Sequence, residues 1–89
     1  MNSRIDRDFR EAFARLPRRV QDQARRAFRR WLEDPFHPGL HFKSIHPTLP
    51  VYSVRIGLHY RAVGVRDGDT VSWFWIGSHA DYDRLISSL

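Results

Sequence analysis

The sequence predicts one α+β domain over residues 1–89: an N-terminal helical hairpin packed on a three- or four-stranded antiparallel sheet, with a short C-terminal helix. Three observations carry this. Apolar residues recur at helical spacing through the first third of the chain and at a period of two after residue 40. Pro17, Pro35, Gly57 and Gly77 stand where those patterns break. The chain has 89 residues, 42% hydrophobic with three Trp, six Phe and three Tyr, enough for one small core.

Ile5, Phe9, Phe13 and Leu16 define the first helix, and Ser3 followed by Asp6 forms a capping-box pattern at its start. Pro17 ends that pattern and suits the first turn of a second helix. There Val20, Ala24, Ala27, Phe28, Trp31 and Leu32 share one face, an arc of roughly 140° at 100° per residue. Asp34 before Pro35 marks its exit, because the residue before proline is pushed out of helical geometry.

The strands follow. Leu40–Ile45 reads as a short strand and Val51–Ile56 as a better one, with Tyr52, Val54 and Ile56 on one side and Ser53 and Arg55 on the other. Gly57-Leu58 turns the chain into Tyr60–Arg66, where Tyr60 and Ala62 oppose His59, Arg61 and Val63. Asp67-Gly68 is a hairpin signal leading to Thr70–Ile76. The rings of Trp73, Phe74 and Trp75 suit a strand covered on both faces, and Gly77 is expected to end it. Ser78 with Asp81 caps a last helix, whose stripe is Tyr82, Leu85, Ile86 and Leu89.

With no Cys, the chain has neither disulfides nor a thiolate nucleophile. His37, His41 and His46 cluster loosely in a Pro-rich loop at no compact metal spacing, so neither metal nor cofactor is expected. No apolar run is long enough for a membrane span, and the N-terminus lacks a signal-peptide core. A soluble, cytoplasmic protein is the expectation. The net charge is +5, and fourteen of the fifteen cations are Arg. Residues 1–34 hold ten Arg against six acids. The outer arc of the second helix gathers Arg18, Arg19, Arg25, Arg26, Arg29 and Arg30, diluted only by Asp22. Like charges one turn apart repel, so a polyanion is the natural partner. Arg18, Arg25, Arg26, Arg29 and Arg30, with Lys43, are the candidate RNA or polyanion contacts.

Val51-Tyr52-Ser53-Val54-Arg55-Ile56-Gly57, followed by His59-Tyr60-Arg61-Ala62-Val63, resembles the strand pair "Y-x-h-R-h-G-x-Y-R-h-h" of the RelE/ParE toxin superfamily. Trp75-Ile76-Gly77-Ser78-His79-Ala80-Asp81-Tyr82 is similar to the family's tail, "h-G-x-R-x-x-x-Y". Length, helix pair and strand order extend the resemblance over nearly the whole chain. The resemblance implies the toxin of a type II toxin–antitoxin pair, neutralised by a cognate antitoxin lying across it. RelE-like members cut mRNA in the ribosomal A site without metal, whereas ParE-like members bind and poison DNA gyrase. The former is the reading favoured here; the alternatives are a gyrase inhibitor and an inactive toxin-like binding module.

The resemblance places Arg55 and Arg61 at cationic site positions and Tyr82 near the C-terminal Tyr. Ser53 stands where nucleases often carry Lys, and His79 near a common Arg. Metal-free RNA cleavage needs a base for the 2′-OH, cations on the phosphate and an acid for the leaving oxygen. Arg55 and Arg61 would clamp the phosphate. His79 in the first turn of the last helix would serve as base, beside amide N–H groups open to an anion. Each has an ordinary alternative: solvated strand arginines or partners for antitoxin acids, a helix-entry His and a Tyr anchoring the core.

Overall fold

The computed structural model describes residues 1–89. Its elements are β1 (Asn2–Ile5), α1 (Arg7–Ala14), α2 (Arg18–Glu33), a 3-10 turn (Pro38–Leu40), β2 (Lys43–Ser44), β3 (Val51–Ile56), β4 (Tyr60–Asp67), β5 (Thr70–Ser78) and α3 (His79–Ser88). The helical hairpin, antiparallel meander and closing helix stand as expected. The sheet is larger than expected: five strands in the order β1-β5-β4-β3-β2, with β1 parallel to β5 and the other pairs antiparallel.

The additional strand comes from the start of the chain. Asp6 itself caps α1, its carboxylate accepting from the Phe9 amide at 2.8 Å, so Ser3 is no cap and residues 2–5 run along β5. Ile5 still lies beside Phe9 and Phe13 in one apolar cleft. Its spacing to them reflects a shared side of the molecule, not a shared helix. At the hairpin, the Gln21 amide donates to the carbonyls of Phe13, Ala14 and Leu16, holding the end of α1 against the start of α2.

Val20, Ala24 and Trp31 bury the inner face of α2, whereas Leu32, at the rim of the predicted stripe, is 51% exposed. Against this face the sheet sends Val54, Ile56, Ala62, Val71, Trp73 and Ile76. Trp31 and Trp73 meet edge to face at 5.4 Å, both wholly buried. A bulge near Val63 and Gly64 shifts the β4–β5 register. It lets Trp73 and Ile76 face the helices together while Phe74 and Trp75 pack under α3. Gly64 is required there, since a Cβ would lie 2.7 Å from Val71 Cγ1 and 2.9 Å from the Ser72 carbonyl.

Two strand limits move. The strand expected over residues 40–45 shrinks to two residues, because Leu40 closes the 3-10 turn and His41 is left-handed at φ 47°. Gly77 does not end β5, which continues to Ser78. Its missing side chain serves packing, because a Cβ would sit 2.7 Å from the Trp75 ring. No helix is long and apolar enough to cross a membrane.

Candidate functional site

The site begins with strand register. Arg55 and Arg61 are direct partners across β3 and β4, and Arg61 pairs in turn with Gly77 of β5. The next row along the same face is Ser53, Val63 and Trp75. α3 lies over these rows, because Ser78 caps it by accepting from the Asp81 amide at 3.2 Å and Tyr82 drops into the face one turn later.

Tyr82 is buried, and its hydroxyl donates to Ser53 Oγ at 3.0 Å. Ser53, where a lysine is common in the resembled family, is buried beneath Tyr82. Three groups surround the Tyr82 ring. The Arg61 guanidinium carbon is 5.9 Å from its centre, the His79 ring 5.9 Å and the Trp75 ring 6.4 Å. Tyr82 is thus the ring that both Arg61 and His79 flank.

Arg61 also donates to the Tyr60 carbonyl at 2.9 Å. Partial burial lowers the affinity of its guanidinium for a proton, and the like charge of Arg55 adds to this; Tyr82 and Asp83 oppose both. A guanidinium still keeps its proton at any working pH, so the result is a cation poorly compensated by its surroundings. His79 is half exposed, with Nδ1 3.4 Å from Asp83 Oδ2 one turn along, which orients the ring. The helix start offers an anion less than the sequence suggests. The His79 amide already donates to the His59 carbonyl at 2.7 Å, and the Asp81 amide is spent on the Ser78 cap. Asp81 pairs with Arg84, whose hydrogen bond, with that of Ser78, holds its carboxyl below the ordinary value.

Arg55 behaves differently from its partner. Its Nε donates to the Gly57 carbonyl at 3.0 Å, and the side chain lines a trough on the flank of α2 with Arg26, Arg29 and Arg30. Arg61 does not line that trough. The predicted polyanion contacts therefore divide. Arg26, Arg29 and Arg30 share the trough. Arg25 points the other way, paired with Asp22 at 3.2 Å and lying over Phe13 at 5.1 Å. Arg18 and Lys43 are exposed and do not line the trough; Lys43 stands opposite Ser53, at the open end of the row beneath Tyr82. His37 and His46 shape their loop: Nδ1 of His37 accepts from the Gly39 amide, and Nδ1 of His46 from those of Thr48 and Leu49. The union of Arg55 with the α2 arginines escapes sequence reasoning, because no local pattern links residues 26–30 to residue 55.

A family profile described as the ParE-like toxin domain matches residues 18–84. No curated protein matches the chain at significant similarity. Among solved structures, the chain is similar to the RelB–RelE antitoxin–toxin complex of Methanococcus jannaschii, with a TM-score of 0.72, 17% identity, and coverage of 91% of this chain and 96% of that one. It is also similar to the RelBE2 toxin–antitoxin complex of Mycobacterium tuberculosis: TM-score 0.70, 21% identity, 88% and 96% covered. Against the isolated RelE toxin of E. coli the TM-score is 0.64 at 16% identity, over 99% and 98% of the two chains. These similarities establish the fold shared with RelE toxins.

Proposed function

We propose a function from one premise: this chain belongs to the ParE-like toxin domain family and is the toxin of a toxin–antitoxin system. Its action is ribosome-dependent, metal-independent cleavage of mRNA, held in check by a cognate antitoxin. The observation that carries this reading is that Arg61 and His79 both flank the Tyr82 ring, with Arg55 the cross-strand partner of Arg61. Neither arginine is within 4.0 Å of a carboxylate, so both charges are available to an incoming phosphate.

In this mechanism Arg61 holds the scissile phosphodiester as charge builds on its oxygens, and Arg55, turned toward the trough beside α2, meets the neighbouring phosphate. His79, through Nε2, takes the proton from the ribose 2′-OH, while Asp83 at Nδ1 keeps the ring in position. The 2′-oxygen attacks phosphorus, the bond to the 5′-oxygen breaks, and that oxygen takes up a proton from solvent or from the imidazolium. Tyr82 positions the other two, and its hydroxyl is occupied by Ser53. A 2′-OH nucleophile confines the chemistry to RNA.

A second reading, gyrase inhibition without chemistry, is favoured by the ParE-like description of the family profile. Primer extension on an mRNA translated with the protein present separates the two. Discrete cuts, lost in His79→Ala, support cleavage. Intact message with DNA damage and filamentation supports the gyrase reading.

A further inference from the structure

The trough beside α2 has a volume of ≈ 520 Å³ and runs between the outer flank of α2, the loop at His37 and Gly39, and the edge of β3. That size is within the range of about 300–1,000 Å³ typical of ligand clefts. Its walls carry Arg26, Arg29, Arg30 and Arg55 against one carboxylate, Glu33. None of these arginines is ion-paired: the side-chain pairs of the chain are Arg7–Glu11, Arg25–Asp22, His79–Asp83 and Arg84–Asp81. β2 begins only at Lys43, opposite Ser53, so beyond Ser53 β3 is paired with β4 alone and its other edge is open. The Arg55 side chain therefore passes over the open edge into a trough shared with α2.

His37 sharpens the case. A neutral imidazole has one acceptor nitrogen, yet two donors converge on this ring. The Gly39 amide is 3.2 Å from Nδ1, and Arg30 Nη1 is 3.0 Å from Nε2. If Nδ1 accepts from the amide, Nε2 carries the proton and faces a guanidinium. If the ring is protonated, it can accept from neither. The first arrangement is relieved by an anionic oxygen within reach of Arg30 and Nε2–H together. Arg26 and Arg30 stand one helical turn apart, about 6 Å along the axis, a spacing that suits successive charges along a chain. Arg55 joins the trough to the row that contains Arg61.

From this geometry we infer that the trough binds the phosphate backbone of single-stranded RNA, as a second track continuous with the Arg61–His79 site. The identity of the ligand rests on the RNA-cleaving reading above; the anion site itself rests on the four arginines and His37. The test is fluorescence anisotropy of the full-length protein with a short 2′-O-methyl RNA strand, which cannot be cut, measured across salt concentrations.

Arg26→Gln/Arg30→Gln is expected to weaken binding about tenfold and to lower the salt slope by about 0.7 for each phosphate that is no longer neutralised. Its melting temperature should match the wild type. Arg26→Lys/Arg30→Lys should retain most of the slope. In the wild-type protein, the same RNA should shift the amide resonances of Gly39 and Gly57 and leave Gly68 in place. Unchanged affinity and slope in the Gln variant, or still amides at Gly39 and Gly57, overturn the inference. So does a fall in antitoxin affinity with RNA affinity intact, which assigns the trough to a protein partner. Weakened RNA binding alongside uncut mRNA sustains the trough and removes only the cleavage reading.

Discussion

On one side of the sheet eleven buried side chains close around Trp31 and Trp73; on the other four, Val51, Ser53, Val63 and Tyr82, are buried, below the row Arg55, Arg61, Gly77. The helical side is apolar and dry, and it uses two helices to exclude water. The α3 side is thin. Its one buried polar contact, Tyr82 to Ser53, secures a ring whose surroundings are cationic. Stability is therefore concentrated on the first side, and the proposed chemistry on the second. A substitution among the cations of the α3 side should leave stability largely intact.

The largest break in that contrast comes from the helical side. Trp31→Ala should cost about 3–5 kcal/mol, enough to abolish a cooperative thermal transition in a domain this small. Trp31→Phe should cost clearly less, because the Trp31 indole N–H is buried without an acceptor and the smaller ring removes that donor. A denaturant titration of both variants checks the order.

On the α3 side, Arg61→Ala should leave the denaturation midpoint near the wild-type value and lower single-turnover cleavage by about 10²-fold, the scale of losing one preorganised donor. Arg61→Lys should recover part of the rate, since charge returns without the fork. Tyr82→Phe tests the link between the two properties. It leaves Ser53 Oγ buried without its donor, at a cost of about 1 kcal/mol, and should slow cleavage less than Arg61→Ala because the ring remains.

The smallest effect concerns pH. The Asp81 carboxyl is held below its ordinary value of 3.8 by Arg84 and Ser78. A depressed carboxyl stabilises the fold where it is ionised in both states, above that value, and the contribution fades as pH falls through the folded-state pKa. Asp81→Asn should therefore differ slightly from the wild type in thermal stability at neutral pH, and the difference should vanish in strong acid.

Much of this contrast is legible in the sequence. The alternation through Val51–Ile56 places Val54 in the core and Arg55 opposite it, and the Ser78–Asp81 spacing locates α3 with Tyr82 inward. β1 is not legible, because a four-residue exposed strand has no alternation and owes its place to pairing with β5. The continuation of β5 past Gly77 is hidden too, since a glycine reads as a stop unless the Trp75 ring that needs its space is known. The candidate site is half visible. Register brings Arg55 and Arg61 together as their strand pattern implies, but the open edge beside Arg55 depends on how late β2 begins. That start is set by His41 in a left-handed conformation, which no periodicity announces.

The central claim is that Arg61 and His79 act on one RNA phosphate across the Tyr82 ring. Primer extension on a translated message, with the wild type, Arg61→Ala and His79→Ala proteins each at equal folded concentration, tests it most directly. The account predicts discrete cuts by the wild type, and almost none by either variant. Undiminished cutting by His79→Ala and Arg61→Ala, or an uncut message with the wild type, contradicts it.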